Sequence, residues 1–435
     1  MTYAEKLSAM IQCETVSERD KLNLEKFEHF QSVLKELFPH VFSTMEVKTF
    51  DGSLLLRWKS KESKGNPILF MSHQDVVEAT GKWTHPPFSG YIDENNVIWG
   101  RGTVDTKGSL FCIFQSLEEL ISEGFSPAVD VYIASSNTEE VAGEGAPKTV
   151  AFLKNEGVHL QLLIDEGGMI KAEPLKGAKG TFAMIGCLEK GTNNFRFIAR
   201  GNGGHASAPG KNTPLVRLGR FMVDMEDHDP FKAKMNATTV EMLRRLGPTI
   251  KGPMGFVMRH AKGLSPLLER VLPSVNPLAA AMIKTTLAFT TAHGSNGLNV
   301  LPEYAYVTGN ARVIHHCASA ETLRILKERA SKYNVEVEVI MANEPCPVVD
   351  FNGKGFKRVE GIIHELFPNV ITSPYAMTGG TDARFYGEIA DDCIRFAPLE
   401  INEQQFKSIH ALDENINAST LDKGVEFYKR VVKSF

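Results

Sequence analysis

The sequence predicts an α/β fold built on a mostly parallel sheet, with an α+β domain inserted into it. Three observations lead there. Residues 68–71 (ILFM) and 131–135 (VYIAS) are short, continuously apolar and partly β-branched, the pattern of strands buried on both faces. Between them Leu110, Ile113, Phe114, Leu117 and Leu120 recur at helical spacing and Gly124 closes the run, so a crossover helix joins the two strands. Around residue 188 the pattern changes to alternating strands, and α/β character returns near residue 344. We therefore expect a first domain split into residues 1–188 and 344–435, around an insertion spanning 189–343.

Local signals set the elements in order. Helical periodicity covers 3–12 and 23–38 (Leu24, Phe27, Phe30, Leu34, Leu37), and Pro39 ends the second helix. Residues 47–50 and 54–58 flank Asp51-Gly52, a hairpin signal. A helix is expected over 147–155, and a buried strand over 162–164 delivers Asp165 and Glu166. Residues 181–188 and 194–200 read as alternating strands joined near Lys190-Gly191. GNGGHASAPG (201–210) is then a glycine-rich loop carrying His205, followed by a helix over 214–225. Residues 226–290 are rich in Met, Pro and basic side chains and have no clean period. A strand over 304–314, a helix over 320–333 and a strand over 335–341 complete the insertion. The last part carries a helix over 355–367, the loop TGGTDARFYG (378–387), a strand over 394–397, His410 in SIHALDENI and a terminal helix from about residue 419.

Composition bounds the function. A chain of 435 residues with 43% hydrophobic content can bury a large core in two or three domains. The net charge of -4 without a long run of one sign points to neither a nucleic-acid nor a membrane partner. Cys13, Cys112, Cys187, Cys317, Cys346 and Cys393 lack CxxC or CxxH spacing and read as reduced, buried thiols. The start MTYAEKLSAM has no basic region followed by an apolar core, and no segment approaches roughly 18–20 uninterrupted apolar residues. A soluble, cytoplasmic protein is the expectation.

The chemistry concentrates in residues 73–140. MSHQDVV (71–77), GRGTVDTKG (100–108) and NTEEVAG (137–143) place metal-ligating side chains near the ends of apolar runs, where open α/β sheets put their active sites. His73 ends a buried strand, and Asp75 follows at i+2 on the same side of an extended chain. Its carboxylate can accept the second ring N–H and leave the other nitrogen for a metal. Asp105 lies in a glycine-flanked loop, where a helix N-cap is an equally good reading. Glu139 and Glu140 are adjacent acids whose repulsion is relieved if one ligates metal while the other, with a raised pKa, serves as general base. Either member of Asp165-Glu166 could face the site, and His410 is uninformative by itself. Histidine and carboxylates without thiolates suit zinc, or else cobalt or manganese. Two such ions about 3.5 Å apart, sharing one carboxylate, polarise a carbonyl and lower the pKa of water.

HxD after a strand, GRGxxDxKG, TxEEVAG, DEG and a late histidine together resemble the co-catalytic zinc peptidases that include aminoacylase, carboxypeptidase S, glutamate carboxypeptidase and succinyl-diaminopimelate desuccinylase. The resemblance runs from His73 to His410. It implies a zinc-peptidase catalytic domain holding two zinc ions per subunit. His73 and Glu140 would be terminal ligands of separate metals, Asp105 the bridging carboxylate and His410 a further ligand. Glu166, or else Asp165, would be the fifth. Glu139 would be the general base that takes a proton from the attacking water, with Asp75 behind His73.

The insertion is similar to the family's lid, which in many members also forms a homodimer contact. His205 matches a loop histidine that stabilises the developing oxyanion, in some members across the dimer. Asn299 in GLNVLP, Arg312 in NARVI, and Gly379, Gly380 and Thr381 in TGGTDAR match positions that hold the substrate, often by its carboxylate. Arg312 and Arg384 can each grip a carboxylate through two parallel N–H bonds, although for Arg384 a surface salt bridge is an equally good reading. Residues 226–290 and IHALDENI resemble carboxypeptidase S, the Gly-X carboxypeptidase, and its N-acyl-amino-acid hydrolase relatives more than the compact desuccinylase type. The implied activity is cleavage of the last amide bond of a small peptide or an N-acyl amino acid. A narrow deacylase acting on acetylornithine or succinyl-diaminopimelate, and a non-catalytic binding protein of the same fold, are the alternatives.

Overall fold

The computed structural model describes residues 1–19, 21 and 23–435. Ten strands form its central sheet. The middle is parallel, with Val131–Ser135, Ile68–Met71, Leu162–Asp165 and Cys393–Arg395 side by side in that order. Helices cover both faces of these strands, which is why they read as unbroken apolar runs. On one face Phe70, Ile133, Ile164 and Ile394 meet Phe114 and Leu117 of helix Lys107–Ser122 and Val425 and Tyr428 of helix Ser419–Lys433. On the other, Leu69, Tyr132 and Leu163 meet Val150 and Leu153 of helix Gly145–Asn155.

The hairpin Glu46–Phe50 and Ser53–Trp58 extends the sheet antiparallel to Val131–Ser135. Its turn places Asp51 and Gly52 at φ 48° and 94°, the geometry for which Asp-Gly is selected. At the far side Thr181–Glu189 pairs with Cys393–Arg395 and Ile170–Ala172 antiparallel and with Val370–Met377 parallel, and Glu400–Ile401 follows beside Ile170–Ala172. All six cysteines are buried and free.

A second, four-stranded antiparallel sheet runs in the order Thr286–His293, Tyr304–Val313, Gly191–Arg200, Glu336–Ala342. Helices Pro214–Asp227 and Ser319–Ser331 close one face of it through Phe221 and Leu326. Thr181–Glu189 and Gly191–Arg200 are therefore not partners in a hairpin, since they belong to different sheets. The first does not alternate either: it is buried almost throughout because Ile185 and Cys187 face one core and Phe182, Met184 and Leu188 another.

Residues 226–290 do have structure. They form helices Ala237–Leu246, Pro253–Arg259, Ser265–Val275 and Pro277–Ala281, a single 3-10 turn, and most of strand Thr286–His293. Pro253, Pro266, Pro273 and Pro277 keep these helices short, which erases a long period. Through Met242, Leu246, Met258 and Leu268 they pack on Phe182, Met184 and Ala376 of the central sheet. Strand Val370–Met377 also has no clear sequence signal. It tolerates Pro374 because it pairs on one side only.

One fully buried ion pair fixes the loop at 378–387. Arg395 Nε donates to Glu189 Oε2 at 2.8 Å, and the same carboxylate accepts the Thr381 N–H and hydroxyl, each at 3.0 Å. Both partners are 0% exposed. Replacing Arg395 with Met strands a buried carboxylate, so we expect a loss of about 3–5 kcal/mol in urea-induced unfolding. A loss under about 1 kcal/mol would show that Glu189 finds water or another partner.

Candidate metal and catalytic site

Three parallel strands end at one edge, and the loops that follow them supply the site. Ile68–Met71 leads to His73, Val131–Ser135 to Glu139 and Glu140, and Leu162–Asp165 to Glu166. Asp105 lies two residues before helix Lys107–Ser122, and His410 follows helix Glu403–Ser408. Asp105 is the hub. Its Oδ1 is 3.1 Å from His73 Nε2 and its Oδ2 is 3.0 Å from His410 Nε2. Glu166 Oε1 stands 3.6 Å from His73 Nε2 and Glu140 Oε2 3.1 Å from His410 Nε2. Asp105 is thus not spent on capping its helix.

Of the Asp165-Glu166 pair, Glu166 joins this cluster. Asp165 turns into the protein, where its oxygens accept the main-chain N–H groups of Glu166 at 2.8 Å and Ala383 at 2.9 Å. Its neighbour is then left to face the cleft.

Behind the cluster two buried carboxylates hold the backbone. Asp75 accepts the Glu139 N–H at 3.2 Å, the Glu140 N–H at 3.1 Å and the Ser17 hydroxyl at 2.7 Å. His73 Nδ1 lies 2.8 Å from the Asp75 main-chain carbonyl and 3.3 Å from its carboxylate. The expected contact between the His73 ring and this residue exists, but the shorter one is to its backbone.

The sequence assigns the second of these carboxylates, Glu414, no role of its own. It is fully buried and accepts the N–H groups of Gly102 at 3.1 Å, Val104 at 2.8 Å and Asp105 at 3.1 Å, together with Arg101 Nη1 at 2.7 Å. It therefore ties the His410 segment to the Asp105 loop. It is one of two adjacent acids in IHALDENI, and nothing local separates a buried Glu414 from a solvated charge. Lys107 of the same GRGTVDTKG stretch plays a structural part, since its ammonium donates to Met10 O and Cys13 O and anchors the first helix, Tyr3–Ile11.

The electrostatics are those of a crowded acid site. Burial, reinforced by neighbouring carboxylates, holds Glu139 and Glu166 well above the ordinary carboxylate range and raises Glu140. Burial opposes the charge on Asp105, yet hydrogen bonds from His410 and His73 outweigh it and depress that group. His410 is pushed up to about 10 by its bonds to Asp105 and Glu140. In His73, burial favours the neutral ring, but Asp105 and Asp75 raise it well above the usual value.

Such a site suits divalent cations. The ligand atoms of His73, Asp105 and Glu140 lie within 4.8 Å of one another, as do those of His73, Glu139 and Glu166. Imidazole and carboxylate without thiolate match zinc, cobalt or manganese.

The substrate-side candidates divide. Arg384, about 10% exposed, lies 3.6 Å from Glu139 Oε1 and donates to Thr381 O at 2.7 Å. Arg312 donates to Thr192 Oγ1 at 2.8 Å and Asn310 Oδ1 at 3.1 Å. A Cβ on Gly380 would sit 3.6 Å from Arg384 Nη1 and 3.7 Å from Arg312 Nη1, so both guanidinium groups converge on the Gly379–Gly380–Thr381 turn. His205 and Asn299 lie elsewhere. Both are exposed, next to each other through the His205–Val300 bridge and the Ala206 N–H to Asn299 O bond of 3.0 Å. Among the described residues no hydrogen bond or ion pair joins them to the cluster.

Glu414→Gln keeps the size but replaces an accepting oxygen by a donor, so the Asp105 loop should loosen and divalent-metal affinity fall about 10- to 100-fold in chelator competition. Unchanged affinity would deny Glu414 this role. If His410 is a ligand, loading the metal-free chain with zinc at pH 7 should release protons, because its imidazole, raised to about 10, would have to surrender one. Affinity should accordingly climb with pH towards about 10. Calorimetry in buffers of different ionisation enthalpy checks it, and zero proton release would contradict His410 as a ligand.

Known proteins share this arrangement of chain. Residues 69–434 match the model of Peptidase family M20/M25/M40. The chain is 30% identical to a probable carboxypeptidase S-like 2 from Dictyostelium discoideum, over 94% of this chain and 79% of that protein. It is also 30% identical to human N-fatty-acyl-amino acid synthase/hydrolase PM20D1, over 99% of this chain and 87% of the relative. Among solved structures, the M20 family metallo-carboxypeptidase Sso-CP2 from Sulfolobus solfataricus superposes with a TM-score of 0.75 at 16% identity, covering 100% of this chain and 99% of that one. Bacillus subtilis YXEP, described as a dinuclear metal binding peptidase from M20 family, gives 0.60 at 13% identity, covering 99% and 97%. A match over most of its length, together with strand-end acids and histidines gathered at one sheet edge, makes this chain an enzyme of the M20/M25/M40 family of metallopeptidases.

Proposed function

We propose that this enzyme is a dinuclear zinc amidohydrolase that cleaves the C-terminal amide bond of small peptides or N-acyl amino acids. The observation that carries the reading is Asp105, whose two oxygens each face a different histidine, with Glu166 beside one and Glu140 beside the other. His73 with Glu166 and His410 with Glu140 would hold one cation each, and Asp105 would bridge them. Bound there, the pair supplies Lewis-acid polarisation of the scissile carbonyl and a lowered pKa for water.

Glu139 is the carboxylate left over. Its raised affinity for protons suits a group that takes a proton from the attacking water and returns it to the leaving amine. Arg384 and Arg312, converging at Gly380, bind the free α-carboxylate, and Glu189 beneath Thr381 keeps that turn in place. The similarity to proteins named carboxypeptidase S-like and N-fatty-acyl-amino acid hydrolase supports both substrate classes. His205 and Asn299 complete the site by lid closure or from a second copy of the chain in a homodimer. The open edge of strand Thr286–His293, which pairs on one side only, supports that contact.

Glu139→Gln should retain its metal while kcat falls by about 10²- to 10⁴-fold. Metal analysis and hydrolysis of N-acyl amino acids beside Gly-containing dipeptides test this. Full turnover by the variant would remove Glu139 from the reaction. Cleavage of acetylornithine or succinyl-diaminopimelate alone would move the chain to the narrow deacylases.

A further inference from the structure

Helices Pro253–Arg259, Ser265–Val275 and Pro277–Ala281 bury one side and leave the other apolar. Met258 and Leu268 point into the core shared with the central sheet. On the outside stand Met254, Phe256, Leu267, Val271, Val275 and Leu278, each between 40 and 63% exposed. Leu267, Val271 and Val275 recur every fourth residue and form one stripe. So many large apolar side chains exposed in so short a segment mark an interaction surface.

The charge around the stripe has one sign. Between residues 251 and 281 the cations are Lys251, Arg259, Lys262 and Arg270, all exposed, against the single acid Glu269. Glu269 already accepts the Met235 N–H at 2.8 Å. The flanking cations Arg244, Arg245 and Lys284 have carboxylate partners in Glu241 and Asp229. The four near the stripe have none among the described residues. Because the whole chain carries -4, this local excess vanishes in a whole-chain count, which is why composition argued against a membrane surface.

We propose that the outer face of residues 251–281 docks on an anionic lipid surface. Exposed apolar side chains interleaved with unpaired Lys and Arg on short helices are the makings of an interfacial segment, with the apolar groups entering the acyl boundary and the cations meeting lipid phosphates. The contact is peripheral, as no described helix is long and apolar enough to cross a bilayer. The inner face of the same helices shares a core with helix Ala237–Leu246 and with strands Thr181–Glu189 and Val370–Met377, which lead to Glu189 and the 378–387 loop. The proposal stands independently of the hydrolytic reading.

Co-sedimentation of the full chain with vesicles tests it. Binding is expected to vesicles of phosphatidylcholine with phosphatidylglycerol, and to fall about tenfold or more on pure phosphatidylcholine or in high salt. Leu267→Gln/Val271→Gln/Val275→Gln keeps helix propensity and should cut binding by about tenfold or more, as should Arg259→Glu/Lys262→Glu/Arg270→Glu. Unchanged far-UV circular dichroism and thermal midpoint in both variants would tie the loss to the surface itself. No vesicle binding by the parent chain, or equal binding by parent and variants, overturns the proposal. So does a lipid-free dimer that the Gln variant dissociates, because the face would then be a contact between copies of this chain.

Discussion

Several carboxylates share one partly buried sheet edge, and the rest of the site is arranged around keeping them there. Without compensation Asp105, Glu139, Glu140 and Glu166 would repel one another or take up protons, and burial pushes three of them towards the protonated form. Only Asp105 is held in its charged state, because two histidines reach it from opposite ends of the chain. A divalent cation relieves the same repulsion more fully. The site is therefore unfavourable by itself and favourable once loaded, which is the electrostatic logic of a metal centre.

Main-chain amides make that crowding tolerable. Asp75 gathers the N–H groups of Glu139 and Glu140, and Glu414 gathers those of Gly102, Val104 and Asp105. In each case a buried acid that does not face the cleft fixes the loop carrying the acids that do. Glu189 repeats the device for Thr381, and Asp165 for Ala383. Four buried carboxylates thus hold the loops at this edge, and Arg101 and Arg395 neutralise two of them. Hydrogen bonds to charged groups are the stronger kind, and burial protects them from competition by water.

The long segment at 226–290 shows how packing replaces periodicity. Proline divides it into helices too short for a repeating pattern, so their order comes from Met242, Leu246 and Met258 fitting the side of the central sheet. One consequence is an outer face that the fold itself does not cover.

The sequence by itself determined the parallel core, the crossover helix and the Asp-Gly hairpin, and it named most of the residues that the fold gathers at the candidate site. These depend on short-range regularities: unbroken apolar runs, 3.6-residue spacing, turn chemistry, and ligands placed at strand ends. It left open whether Asp165 or Glu166 faces the cleft, gave Glu414 no role, and set 181–188 beside 194–200 as if they were neighbours. Only the tertiary structure decided those points, because each depends on main-chain N–H groups or strands brought in from far along the chain. Ala383 claims Asp165 across 218 residues, and Glu414 reaches Asp105 across 309. No local pattern records a hydrogen bond whose donor is supplied by folding.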